Sequence, residues 1–285
     1  MTGGTGAPDG AGQAREADVE PTAGDGGMAA AGARLGTVGL KLGIDGAVAT
    51  VTLHRPERRN AMTPGLWRGL AAIGAALPPH VRAVIVRGHG PSFSAGIDLR
   101  LLAADGLPGE ELADPAGPGF TEWLAGLQAG FLWLHRPDIV SVAAVRGHAV
   151  GAGFQLALAC DLRVLADDAR LCMKEPALSL VPDLAGTKPL VDIVGLPRAL
   201  ELCLTTRTIG AAEAWDLRLA ELVVPAGDLD AAAAGLAHAL IAHDAATVRA
   251  VKKLLAGAPG RTLEEQAAAE GAAQAALQRE RRSAG

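Results

Sequence analysis

The sequence predicts an α/β fold in which short buried strands are joined through helices into parallel pairs. Three features carry this prediction. β-Branched runs at Val81–Val86 and Ile139–Val145 are each followed by glycine-containing turns and then a helical pattern. A hairpin signature precedes them, and an alanine- and leucine-rich stretch of helical periodicity follows from about Leu196. Alternation of this kind gathers ligands where strands end and helices begin.

Residues 1–36 are dominated by Gly, Ala, Pro, Thr and Asp, with almost no large apolar side chains. Such a segment cannot offset the entropy of ordering, so a disordered tail is expected. Met28 lies within it, which leaves a start of translation at either Met1 or Met28. Val38–Leu42 and Ala47–Leu53 are rich in β-branched residues and flank Asp45-Gly46, the signature of a tight hairpin. Thr63 then caps a helix running to about Ala76, with Pro64 in its first turn, where the missing N–H costs nothing. Thr262-Leu263-Glu264-Glu265 is the capping box of a terminal helix. The expected organisation is a tail at 1–36, an α/β core at 37–195 and a helical region at 196–285.

The chain has 285 residues, 49% of them hydrophobic and 20% charged, enough apolar material for a buried core and enough charge to keep it in solution. A net charge of −5 argues against binding nucleic acid through its phosphates, which needs a surplus of Lys and Arg. Cys160, Cys172 and Cys203 show neither the spacing of a zinc site nor the density of a disulfide scaffold, so a reducing cytoplasm is expected. The start lacks the pattern of a secretory signal, and Arg146, His148 and Gln155 interrupt the most apolar stretch, Ile139–Cys160. That stretch reads as core, and no membrane partner is expected.

Chemistry points to two strand-to-helix turns, Ser92-Phe93-Ser94-Ala95-Gly96-Ile97-Asp98-Leu99 and Arg146-Gly147-His148-Ala149-Val150-Gly151-Ala152-Gly153. Small residues there let backbone N–H groups approach a ligand, and a helix N-terminus adds positive potential. Together the turns could form an oxyanion hole; taken singly, the glycines are equally served by tight turns. Gly151-Ala152-Gly153-Phe154-Gln155-Leu156 is no dinucleotide fingerprint, because Leu156 stands where the third glycine is required.

Read with Arg55-Pro56-Glu57-Arg58-Arg59-Asn60-Ala61, Gly153-Phe154-Gln155-Leu156-Ala157-Leu158-Ala159-Cys160-Asp161, Glu175 and Gly186-Thr187, the chain resembles the enoyl-CoA hydratase/isomerase, or crotonase, superfamily from about Val38 to its end. The resemblance implies a spiral of ββα units with a C-terminal helical trimerisation region, in a homotrimer or hexamer. It implies an acyl-CoA or enoyl-CoA thioester as partner, with coenzyme A part of the substrate and no separate cofactor or metal. The thioester oxygen would rest against the N–H groups of Ile97 and Ala152. Ala61, Ala95, Gly96, Asp98 and Gly151 would line the substrate site, and Arg58, Arg59 or Arg100 would meet the CoA phosphates.

Holding that oxygen lowers the barrier to an enolate, the charge common to the superfamily's reactions. Family hydratases use two glutamates, whose positions here hold Gln155 and Glu175. An amide can orient a water but is no base at ordinary pH, whereas one carboxylate suffices to move a proton between carbons. The resemblance therefore implies an isomerase more than a hydratase, the alternative being a non-catalytic acyl-CoA-binding or regulatory protein. Asp183 either caps the following helix or supplies the second acid seen in dienoyl-CoA isomerase-like members. Lys174 either faces solvent or pairs with Glu175, His148 is a wall residue or a base, and Cys172 is packing. Trp123, Phe131 and Trp133 pack the core or line an acyl pocket.

Overall fold

The computed structural model describes residues 34–284 apart from 104, 105 and 111. Most of the expected tail, residues 1–33, lies outside the described residues. Its last three residues open a helical turn over 34–37, where Leu35 packs against the core.

The hairpin forms as the turn signal requires. Strands β1 (Leu40–Asp45) and β2 (Val48–Leu53) pair antiparallel about Gly46, whose φ of 54° suits glycine. Val38 and Gly39 precede the strand as a turn. Helix α1 (Pro64–Ala76) starts at Thr63, which accepts a hydrogen bond from Leu66 N at 3.3 Å. Strand β3 (Ala83–Gly88) is shifted two residues beyond the expected run. After α2 (Phe120–Leu132), the chain makes β4 (Val140–Val145), β5 (His148–Val150), α3 (Ala152–Ala159), β6 (Leu162–Ala166) and β7 (Arg170–Cys172).

These strands divide between two sheets. The larger has the order β1-β2-β3-β4-β6, extended by β9 (Leu222–Val224), with every pair after the hairpin parallel. In the smaller, β5 pairs parallel with β7, and β7 pairs antiparallel with β8 (Ile209–Gly210). Each pass through the large sheet is thus followed by a short strand in the small one and then a helix: β4, β5, α3 and β6, β7, α4 (Thr187–Thr205). Ser94, following β3, bridges Ala149 of β5 and occupies the equivalent place in the first pass. The result is a stack of ββα units whose strand-to-helix turns lie side by side.

Strand alternation explains why the large sheet is buried on both faces. Ala49, Val51, Val84, Val86, Ala143 and Val145 face α1, α2 and α3, where Phe93, Phe131 and Phe154 are almost wholly buried. Each such side chain stabilises the fold by about 1.5–3 kcal/mol. Val48, Ala83, Ile85, Val142 and Ala144 face α6 (Leu229–Leu240), which meets them through Leu229, Ala233 and Ala237. Small residues on that helix let its backbone approach the sheet closely.

The region past 196 is largely helical but not wholly so. It contributes β8 and β9 as well as α5 (Ala211–Asp216), α6, α7 (Ala245–Gly257) and α8 (Leu263–Ala284). Helix α4 breaks at Gly195, φ 73°, two residues before Pro197. Lys252 anchors α7 by donating to Ile139 O at 2.8 Å and Asp161 Oδ2 at 2.7 Å. The capping box of α8 is reciprocal: Thr262 N donates to Glu265 Oε2, and Glu265 N to Thr262 Oγ1. Among the described residues no helix is long and apolar enough to cross a membrane.

Candidate active site

The first turn is held by the loop at Arg55–Met62. Asn60, fully buried at φ 56°, donates from Nδ2 to His89 O at 2.9 Å and Ser92 O at 2.8 Å, and accepts Arg55 N at its Oδ1. Asn is among the few residues that tolerate this left-handed conformation. The next contacts are backbone rungs: Ala95 N to Arg59 O, Met62 N to Gly96 O and Asp98 N to Met62 O, all between 2.7 and 2.8 Å. Phe93 N reaches Arg146 O, Ser94 N reaches His148 O, and Gly96 N reaches Ser94 Oγ.

This leaves one exception. From Phe93 to Asp98 every backbone N–H but that of Ile97 has an acceptor among the described residues. The parallel bridge between Met62 and Ile97 turns Gly96 O and Asp98 N toward Met62, so the Ile97 N–H points to the opposite side.

The second turn supplies a matching donor. Helix α3 begins at Ala152, two residues before the expected Phe154, because Gly151 adopts φ 51°, ψ −120° and reverses the chain. Gly151 N donates to Cys172 O, while Ala152 N, in the first helical position, has no intrahelical acceptor. The two turns touch: a Cβ added to Gly96 would lie 2.5 Å from Val150 O and 3.7 Å from Ala152 N. Only glycine permits that approach. Two free N–H groups, one at a helix N-terminus, thus lie on adjacent turns.

Glu175 lies beside them, buried, at the start of the 3-10 turn Glu175–Leu178. A Cβ on Gly151 would stand 3.1 Å from Glu175 Oε1, so the carboxyl rests on the residue that precedes Ala152. Gln155 Nε2 donates to Glu175 Oε1 at 2.6 Å, and Glu175 Oε2 is buried with no partner among the described residues. Burial above all raises the Glu175 pKa; the charge of Asp183 acts in the same direction, and the Gln155 hydrogen bond opposes it. Lys174 is exposed and forms no ion pair with Glu175.

The other end of Gln155 is equally occupied. Its Oε1 accepts Leu184 N at 3.0 Å and Gly186 N at 3.2 Å, so the carbonyl end has no lone pair left for a water and only the second Nε2 hydrogen could orient one. Asp183 does not cap α4: the N-cap there is Gly186, with no side-chain cap. The Asp183 carbonyl accepts Gln128 Nε2 at 2.7 Å, and burial raises the pKa of its carboxyl even though the residue keeps an exposed edge.

Among the cationic candidates, Arg100 is committed to Asp98 through Nε at 2.9 Å and Nη2 at 2.6 Å. Hydrogen bonds from Arg100 and then Arg55 hold Asp98 down to about 2. Arg58 and Arg59 extend into solvent, whereas Ala61, Ala95, Gly96 and Gly151 form the floor and walls of the turns. His148 is exposed on β5, with Nδ1 3.4 Å from Ser92 Oγ. Cys172 Sγ donates to Thr206 O and burial raises its pKa, as befits packing. Phe131 and Trp133 are core residues and Trp123 is half-buried. No cluster of His, Cys, Asp or Glu among the described residues could hold a metal. The sequence did not single out Gln128 or Ser94, whose contacts depend on tertiary neighbours.

Comparison with known proteins places this arrangement. The family model for enoyl-CoA hydratase/isomerase matches residues 43–284. A candidate enoyl-CoA hydratase of Thermobifida fusca YX, solved with CoA, is 55% identical, with a TM-score of 0.85, over 88% of this chain and 97% of its own. The same protein was solved with acetoacetyl-CoA, at a TM-score of 0.82 and covering 87% and 98% of the two chains. A candidate enoyl-CoA hydratase of Thermus thermophilus is 36% identical over 77% of this chain and 85% of its own. The mitochondrial Delta(3,5)-Delta(2,4)-dienoyl-CoA isomerase of Rattus norvegicus is 35% identical over 64% and 57%. The chain has the crotonase fold and is an enzyme of the enoyl-CoA hydratase/isomerase family.

Proposed function

We propose that this enzyme moves a carbon–carbon double bond within an enoyl-CoA thioester, with Glu175 as the proton carrier. The carrying observation is the commitment of the Gln155 carbonyl: its Oε1 serves two backbone N–H groups while one Nε2 hydrogen serves Glu175, and an amide so held is no base that could take a proton from a water. The Ile97 and Ala152 N–H groups hold the thioester oxygen. Glu175 takes a proton from the carbon between carbonyl and double bond, the electron pair spreads into an enolate, and the same carboxyl returns the proton at the far end of the double bond. No water is added and no electron leaves the substrate, so the step calls for no cofactor beyond the CoA already attached.

CoA and acetoacetyl-CoA in the Thermobifida fusca structures support an acyl-CoA ligand. Arg58 and Arg59 are free to meet its phosphates, Arg100 acts mainly by bracing Asp98, and Ala61, Ala95, Gly96 and Gly151 give the thioester room. Asp183 is the second acid where a longer conjugated system must be protonated at a more distant carbon. A non-catalytic carrier is less well supported, since a buried carboxylate oxygen without a partner costs about 1–3 kcal/mol and serves nothing in mere binding. Assembly into a trimer or hexamer through residues 196–285 belongs to the same reading. Leu196, Leu200 and Leu204 form an exposed stripe on α4 that association would cover.

The test is incubation with 3-enoyl-CoA and trans-2-enoyl-CoA thioesters, followed by chromatography and mass analysis. Conversion of the 3-enoyl to the 2-enoyl ester without change of mass is expected. Addition of water as the main reaction, or no turnover of either ester by folded protein, overturns the proposal.

A further inference from the structure

We propose that Gln155 is a positioning residue that fixes the Glu175 carboxyl so that Oε2 alone exchanges protons with the substrate. This rests on the isomerase reading and specifies which atom performs it. The orientation of the Gln155 amide is set from outside the site. Leu184 N and Gly186 N both donate to its Oε1, so the opposite end must present N–H groups, and one of them meets Glu175 Oε1 at 2.6 Å. That oxygen is thereby occupied. Oε2, also buried, has no partner among the described residues and is the acceptor left for a substrate proton.

Two glycines make the arrangement possible. A Cβ on Gly186 would lie 2.6 Å from Gln155 Cγ, and one on Gly151 would lie 3.1 Å from Glu175 Oε1. Gln155 is therefore clamped between the 184–186 backbone and the carboxyl it orients. The clamp extends outward, because Gln128 Nε2 holds the carbonyl of Asp183, next to Leu184. The separation between Glu175 and Asp183, whose charges interact, is thus set by the same amide. Among the described residues, the other titratable neighbours whose ionisation senses Glu175 are Cys172 on β7 and Cys203 on α4, both thiols whose pKa burial raises.

The experiment uses full-length protein carrying [δ-13C]glutamate, with the Glu175 resonance assigned by its loss in Glu175→Gln. In Gln155→Met the carboxylate loses its donor, so the Glu175 titration midpoint and the acidic limb of the kcat/KM profile should both move to higher pH. The value of kcat should fall about ten- to hundredfold as the carboxyl loses its fixed aim, with KM within about twofold. Gln155→Glu, which keeps an acceptor for Leu184 N and Gly186 N, should also raise the midpoint, and serves if Gln155→Met does not fold. An unmoved Glu175 titration in the folded variant overturns the positioning role. A wild-type protein that turns over no enoyl thioester, while the titration still moves, overturns the isomerase reading instead.

Discussion

Ser94 and Asn60 are joined inside the protein by a hydrogen bond from the serine hydroxyl to the asparagine carbonyl, 2.8 Å long, and the same hydroxyl accepts Gly96 N at 3.1 Å. One side chain thus couples the early loop to the turn that presents the Ile97 N–H. Ser94→Ala leaves a buried carbonyl and a buried amide without partners, so stability should fall by about 1–3 kcal/mol. The freed Gly96 amide loosens the turn, and kcat should fall about tenfold with little change in KM. Urea unfolding and steady-state kinetics measure both; wild-type kcat in this variant would show that the coupling does not support the turn.

Glu175 is predicted to cost stability at neutral pH. Its folded-state pKa is raised, so the folded protein binds the proton more tightly than the unfolded chain. The stabilisation from that proton is complete below the ordinary carboxylate value and is lost as pH rises through the folded pKa. Glu175→Gln removes the ionisation and should melt higher than wild type at pH 7, while losing proton transfer and retaining CoA-ester binding. Near pH 4 the difference in melting temperature should shrink. Equal melting of the two proteins at both values would contradict the burial argument.

Asp98 behaves in the opposite sense. Arg100 and Arg55 hold its pKa down to about 2, so it contributes stability above the ordinary carboxylate value, and that contribution is lost as pH falls toward about 2. Asp98→Asn should lower stability at neutral pH and flatten the acid limb of the stability curve. Denaturant titrations across that range read the effect, and an unchanged limb would remove the ion pairs from the account.

Much of this was legible before the structure. The hairpin at Asp45-Gly46, the Thr63 cap and the Thr262 capping box are local devices whose chemistry lies within a few residues, and each forms as expected. The short strands β5, β7 and β8 were not, because three residues or fewer carry no periodicity and gain their structure from one another. The approach of the Ile97 and Ala152 turns to each other and to Glu175 was implied by the family resemblance, yet the hydrogen bonds of Gln155 were invisible: its partners are 20 to 31 residues away. For the same reason the capping alternative for Asp183 is not realised, since Gly186 N is already taken by Gln155.

Replacing Gln155 by Glu places a second carboxyl where family hydratases carry one, with two backbone N–H groups still available to orient it. Hydration of trans-2-enoyl-CoA should then appear, seen as product heavier by one water. Its absence in a folded variant would show that hydration is barred by more than this one side chain.

The proposed chemistry depends on the N–H groups of Ile97 and Ala152 converging on the thioester oxygen. Difference infrared spectroscopy of a [1-13C]acyl-CoA bound to Glu175→Gln tests it without turnover, because two hydrogen bonds weaken the C=O bond. The carbonyl band should be displaced to lower frequency than in water, with the displacement lost in Gly96→Val, whose side chain would meet Val150 O. A band at its solution position in the saturated Glu175→Gln complex would contradict it.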